Sequence, residues 1–326
     1  MIRMSMCWAV PVKTIVFGLA VGVAACLWSG QAPVSLLETH TLFAVYGRGF
    51  ARAPILGHLG TYKDADAMAA DTKDWVPKIA AVNGGKGVTV GLDLIYGLAI
   101  PCKGKSNCVE YLDQGTIDPL AQYIEPAADR GWVVILDTQL GRSDPVTEMK
   151  RMIDRGYLKF DNVHVAIDPE FHSVEGHDDP GIPIGTVTSA QINQVQEMLN
   201  SYVEAQKLTT KKILIVHQFG DAAVHDGVPF MIADKKTLKS FPNVDLVVDA
   251  DGLGTPAAKI RKYNLMTDSK TYPAVRFSGV KVFFPNQWEH AGHFDKPPMS
   301  LDQVFGLVGL PGGLKMERKP AVFIIA

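Results

Sequence analysis

Beyond residue 50, β-branched apolar runs alternate with segments whose apolar positions recur at helical spacing. The runs are PILGHLG (54–60), GVTVGLDL (87–94), WVVILDT (132–138), NVHVAID (162–168), KILIVHQ (212–218), VDLVVDA (244–250), VKVFF (280–284) and AVFIIA (321–326). Most are short and rich in Val and Ile, the pattern of a strand covered on both faces. The segments between them carry helix start and stop signals. SDPVTEMKRMIDRG offers Ser143 or Asp144 as N-cap, Pro145 in the first turn and Gly156 at the exit. SAQINQVQEMLNSYVEAQ starts at Ser189 and sets Ile192, Val195, Leu199 and Tyr202 on one face. IDPLAQYIEPAADRG reads as a further helix that Pro126 kinks or ends.

Eight strands in alternation with helices predict a parallel sheet. Over residues 31–326 that number favours closure into a (β/α)8 TIM-barrel-like fold, an α/β architecture. An open doubly wound sheet would want a glycine-rich turn after its first strand, and GHLGTYKDAD lacks the GxGxxG spacing. Two features depart from a full barrel. TLFAVYGRGF (41–50) is an additional strand-like run, and the sequence stops within the eighth run, with no eighth helix after it. Either residues 41–50 help to close the barrel or it is incomplete.

Composition narrows the function classes. The 326 residues are 47% hydrophobic, enough for one large core, and no Ser/Gly linker or charge block divides residues 31–326. A net charge of −2 without a Lys/Arg block excludes nucleic acid as a partner, because counterion release needs clustered basic side chains. Residues 1–30 read as a signal peptide or membrane anchor: Arg3 and Lys13 precede the apolar run TIVFGLAVGVAAC. Val23-Ala24-Ala25-Cys26 resembles the bacterial lipobox, which implies lipidation at Cys26; ordinary cleavage and an uncleaved anchor are the competing readings. The expected location is exported, either tethered to a membrane through the anchor or lipid, or secreted. In that setting Cys102 and Cys108, both in the loop PCKGKSNC, are expected to form a disulfide.

Candidate chemistry comes from register. Side chains alternate along a strand, so in NVHVAIDPE the residues Val163, Val165 and Ile167 share one face, while His164, Ala166, Asp168 and Glu170 share the other. The same reading turns Thr89, Gly91 and Asp93 inward in the second run, and Val133, Ile135, Asp137 and Gln139 in the third. It turns Ile213, Ile215 and His217 inward in the fifth, and Val247, Asp249 and Asp251 in the sixth. Five strands therefore end with an inward Asp or His, at the end where barrel enzymes carry their active sites.

An acidic pocket of this kind suits glycoside hydrolysis, which needs one carboxylic acid kept protonated and a second carboxylate to attack, activate water or stabilise positive charge. Glu170, the longer side chain, is the expected general acid. Asp168 would orient it or help the substrate assist its own reaction, with Asp93, Asp137 or Asp249 as the opposing carboxylate. His217, Gln218, Asp251, Gln139 and Trp288 are the expected substrate contacts, Trp288 as a flat surface for a sugar face. No cofactor or metal is expected, and the partner is a polysaccharide or glycan.

Asp168-Pro169-Glu170 resembles the end of the DxxDxDxE signature of family 18 chitinases and, less closely, the D-x-E of barrel-type lysozymes. The two earlier Asp positions of that signature are Val163 and Ala166 here, so the proton relay that the resemblance implies lacks its first members. IDPEF, VHQF (216–219) and DGLGTP (251–256) together resemble a group of exported bacterial proteins, many of them lipoproteins, with a glycoside-hydrolase-like barrel. That similarity implies location and fold rather than a reaction.

Two rival readings stand beside this one. A metal-dependent hydrolase would draw on His58, His217, Asp249, His172 and His177, although the first run offers one His where amidohydrolases carry a pair. A non-catalytic glycan-binding envelope lipoprotein would use the same pocket without needing a protonated Glu170. A Ser-His-Asp hydrolase lacks its GxSxG elbow, and no phosphate-cradling motif supports nucleotide use.

Overall fold

The computed structural model describes residues 32–51, 57–173, 175–220, 231–285 and 293–326. Eight parallel strands close into a barrel: β1 (His40–Gly47), β2 (Gly87–Ala99), β3 (Val133–Gly141), β4 (Val163–His172), β5 (Lys212–Gln218), β6 (Val244–Ala250), β7 (Phe277–Val282) and β8 (Val322–Ile325). Closure runs through β1, which pairs with β8 on one side (Leu42 opposite Val322) and with β2 on the other (Leu42 opposite Thr89). A short strand, Val109–Tyr111, adds antiparallel to the far end of β2.

The first strand corrects the sequence reading. It is the run at 41–50, not PILGHLG at 54–60. Residues 52–56 lie outside the described ones, and His58–Thr61 forms a 3-10 turn. The physical reason is continuity: Thr41 to Gly47 is buried throughout, as a strand between two neighbours and under helices must be, whereas 54–60 is broken by glycines. Gly57 lies at φ +134, and a Cβ there would stand 2.5 Å from the Tyr46 carbonyl oxygen, so the segment folds back against the end of β1.

Four longer helices pack outside the sheet: α1 (Ala65–Val82), α2 (Pro145–Asp154), α3 (Ser189–Gln206) and α4 (Pro256–Met266). Their starts are built from local hydrogen bonds. Asp144 accepts from Val146 and Thr147 N–H at the start of α2, and Thr188 forms a capping box with Gln191 before α3, one residue ahead of the expected start. Pro126 does not end its segment: a π turn over Leu120–Ile124 leads into the helix Glu125–Ala128. Among the described residues, the β5–β6 connection carries a two-residue strand (Ile232–Ala233) paired with Val187–Thr188 and a 3-10 turn (Lys235–Thr237), and the β7–β8 connection a four-residue helix (Leu301–Val304). The last described element is β8.

Apolar side chains fall into two clusters, one on each face of the sheet. Outside, Leu92, Leu136, Val165 and Val216 pack with the helices. Inside, Leu42, Ile135, Ala166, Ile215, Val247 and Ile324 fill the barrel. Leu37, fully buried in the turn just ahead of β1, joins the inner cluster and plugs the N-terminal mouth. The interior is thus packed with hydrocarbon from below, and polar side chains collect at the carboxyl ends of the strands.

Candidate active site

Period-two alternation delivers one or two polar groups from each of seven strands to that end. β2 brings Asp93, β3 Asp137, β4 Asp168 and Glu170, β5 His217, β6 Asp249 with Asp251 just beyond it, β1 Tyr46 and β7 Lys281. Asp93, Asp137, Asp168, His217, Asp249 and Lys281 are each at most 2% exposed; Glu170 is only partly covered.

His217 sits at the centre. It is the register partner of Asp249 across the β5–β6 pair, and its Nδ1 lies 2.9 Å from Asp249 Oδ2. Its Nε2 points the other way, 3.7 Å from Asp93 Oδ2 and 3.9 Å from Asp137 Oδ2. Asp249 has room to do this because its neighbour on β7 is Gly279, where a Cβ would lie 2.6 Å from Asp249 Oδ1. Lys281 Nζ is 2.7 Å from Asp251 Oδ2 and 3.7 Å from the centre of the Tyr46 ring, a cation–π contact. The Gly252 N–H donates to the other Asp251 oxygen.

Helix α4 braces this corner. Lys262 Nζ donates to the Asp251 carbonyl oxygen at 2.8 Å, and Lys259 Nζ donates to the Lys281 carbonyl oxygen at 2.6 Å and pairs with Asp295 at 3.1 Å. The DGLGTP motif builds the loop between β6 and α4: Thr255 caps the helix, and Gly254 donates its N–H to Asp295 at 2.8 Å.

Burial and neighbouring charge set the protonation states. Burial opposes the Asp251 carboxylate, but Lys281 and His217 outweigh it and hold the group well below the usual range. Burial raises Asp93 to about 7, with His217 pulling the other way and Asp137 adding to the rise. Asp137 is also raised by burial, and Asp168 well above its ordinary value by burial and the charge of Asp137. Glu170 is pushed up to about 7 by burial and then by Asp251, against the pull of Lys281 and Lys262. Burial and Lys281 disfavour the His217 imidazolium, yet the hydrogen bond to Asp249 and the charges of Asp137 and Asp93 lift it to about 10.

The structure therefore brings Asp93, Asp137, Asp168, Glu170, His217, Asp249 and Asp251 to one end of the barrel, in the register that alternation assigns them. Gln139 stands beside them, its Oε1 accepting the Ala99 N–H at 3.2 Å, so it ties β3 to β2. Gln218 does not join the cluster. It continues the outward register of β5, where its Oε1 accepts from Lys235 Nζ at 2.6 Å. Trp288 and Cys26 lie outside the described residues. Cys102 and Cys108 are disulfide-bonded.

Of the five residues named for a metal-dependent hydrolase, only His217 and Asp249 meet. His58 packs edge-on against Tyr62, the His172 ring contacts the Thr186 carbonyl oxygen at 2.6 Å, and His177 is exposed. Two other groupings bring possible ligand atoms within 4.8 Å of one another: Asp93, Asp137 and His217, and His217, Asp249 and Asp251.

Sequence reasoning missed Tyr46 and Lys281. Tyr46 lies in the additional run at 41–50, to which the alternation assigns no inward face. Lys281 carried a usable signal, a charge between Val280 and Val282 at the inward position of a strand. No family model matches the sequence, and no curated protein matches it.

Proposed function

We propose that this protein hydrolyses glycosidic bonds in an envelope or extracellular polysaccharide, with Glu170 as the proton donor. The observation that carries the reading is the setting of Glu170 at the carboxyl end of β4: partly exposed, and raised to about 7 by burial and by Asp251. A carboxylic acid that keeps its proton near neutrality can protonate the leaving oxygen of a glycoside. Asp168, two positions back on the same face, accepts the Glu170 N–H at 3.3 Å and fixes the backbone that carries the acid.

The expected opposing carboxylates, Asp93, Asp137 and Asp249, have no exposed surface. Their burial favours the substrate-assisted route, in which the sugar's own 2-acetamido oxygen attacks the anomeric carbon in place of a carboxylate nucleophile. The substrate class is then an N-acetylated amino-sugar polymer. Export fits this class of substrate. The apolar segment before residue 27 and the Cys102–Cys108 disulfide support it, with tethering through Cys26 as the proposed attachment.

The test is release of reducing ends from isolated bacterial cell-wall glycan and from N-acetylglucosamine oligomers. The parent chain is expected to release them and Glu170→Gln to lose that activity. Turnover that survives Glu170→Gln contradicts the mechanism. Binding without turnover by the parent favours a glycan-binding protein instead.

A further inference from the structure

One imidazole nitrogen and two carboxylates face one another at the carboxyl end of the barrel. The contact between His217 Nδ1 and Asp249 Oδ2, at 2.9 Å, needs a proton on Nδ1, because an ionised carboxylate offers only lone pairs. Nε2, on the other side of the ring, is aimed at the carboxylates of Asp93 and Asp137, and it carries either the second proton of the imidazolium that these charges favour or a lone pair open to a metal. Among the described residues, Nε2 and both Asp93 oxygens have no hydrogen-bond partner, the Asp137 carboxylate is approached by the Thr138 backbone N–H, and none of the three side chains is more than 1% exposed. Buried carboxylates gathered in this way, away from water, require a positive charge among them, which is supplied by the imidazolium proton on Nε2 or by a cation bound in its place.

The separations fit a shared cation. At 3.7 and 3.9 Å they are too long for hydrogen bonds. Ligands at about 2.1 Å from a tetrahedral ion stand roughly 3.4 Å apart, a closure of a few tenths of an ångström from the two imidazole–carboxylate separations, and the ligand atoms of all three residues lie within 4.8 Å of one another. Asp249 on the far nitrogen completes a carboxylate–histidine pair of the kind that orients metal-binding imidazoles. The other grouping is less suited: Asp249 is engaged by His217, and Asp251 by Lys281 and the Gly252 N–H.

We propose that Asp93, Asp137 and His217 form a binding site for one divalent transition-metal cation of the zinc or manganese class. One imidazole nitrogen and two carboxylates without thiolate suit these ions. Calcium, which takes six to eight oxygens, is disfavoured by the nitrogen and by the small donor number. The inference does not rest on glycoside hydrolysis. If both hold, Asp93 and Asp137 are ligands and the substrate-assisted route is the compatible one.

The full-length chain, stripped with a chelator, would be titrated calorimetrically with Zn2+ and with Mn2+, and with Co2+ for its electronic spectrum. One ion per chain is expected, with a Co2+ spectrum of nitrogen and oxygen ligation. Asp137→Asn, nearly isosteric, should weaken binding by about 100-fold. Asp249→Asn should weaken it about 10- to 100-fold, because an amide can donate to Nδ1 and move the imidazole proton onto Nε2. Glu170→Gln should bind as the parent does, which separates this proposal from the hydrolase reading. Absence of a stoichiometric ion in the parent, or an ion bound equally well by a folded Asp137→Asn chain, overturns it. Nitrogen NMR of the stripped and loaded parent, which needs no variant, should show Nε2 of His217 shift on loading; a ring with protons on both nitrogens throughout overturns it as well.

Discussion

Lys281 Nζ stands 2.7 Å from Asp251 Oδ2, and both side chains are buried at the mouth of the barrel. Each depends on the other. Lys281→Met would leave the Asp251 carboxylate buried without its cation, a change that costs about 3–5 kcal/mol when one partner of a buried pair is removed. Chemical denaturation should show that loss, and the double variant Lys281→Met, Asp251→Asn should recover most of it.

Glu170 makes activity pH-dependent in a definite sense. The acid works while protonated, and its carboxyl is raised to about 7, so polymer hydrolysis should fall as pH rises through about 7. Stability follows the same group. A folded-state value above the unfolded one contributes stability that is fully present below the unfolded value, near 4.5, and is lost as pH rises through about 7. Glu170→Gln, which never charges, should therefore be more stable than the parent above pH 7, by on the order of 1 kcal/mol. Thermal melts at pH 5 and pH 8 would read the difference.

Gly279→Ala tests the packing behind His217. The new Cβ would meet Asp249 Oδ1 at 2.6 Å and push the carboxylate off Nδ1. The expected result is a loss of about 1–3 kcal/mol in stability together with a fall in activity, measured by denaturation and by hydrolysis rate. A folded variant with parental stability and activity would mean that the Asp249–His217 contact does not matter.

Asp161 supplies an acid-limb prediction far from the site. It accepts from the Thr209 and Thr210 N–H groups at 3.1 and 3.3 Å and from both hydroxyls. Burial opposes its charge, but these bonds prevail and lower it below its ordinary value. Its stabilisation is present above the unfolded value and is lost as pH falls through the folded one. Asp161→Asn should cost about 1 kcal/mol at pH 7, and the difference should shrink toward pH 3.

The barrel and its acidic mouth were legible because burial on both faces leaves a plain signature. Runs such as NVHVAID and KILIVHQ are strands of nearly the expected extent, and one rule of alternation turned Asp93, Asp137, Asp168, His217 and Asp249 to the same side. The first strand failed because 41–50 stands before the regular alternation and PILGHLG mimics a strand in composition, while its glycines serve a fold-back turn. Gln218 was misplaced by proximity to His217, although adjacent strand residues face opposite ways. The braces from Lys259, Lys262 and Asp295 were illegible, since their partners lie on other elements. The grouping of His217 with Asp93 and Asp137 depends on which strands neighbour across the barrel, which the order of the runs does not state.

The central claim is that Glu170 delivers the proton to the leaving group. Comparing parent and Glu170→Gln on two substrates, an N-acetylglucosamine oligomer and the nitrophenyl glycoside of the same sugar, tests it most directly. Nitrophenolate leaves without protonation, so the account predicts a loss of about 100-fold or more on the oligomer and a far smaller one on the nitrophenyl glycoside. Equal losses on both, or no loss on the oligomer, would contradict it.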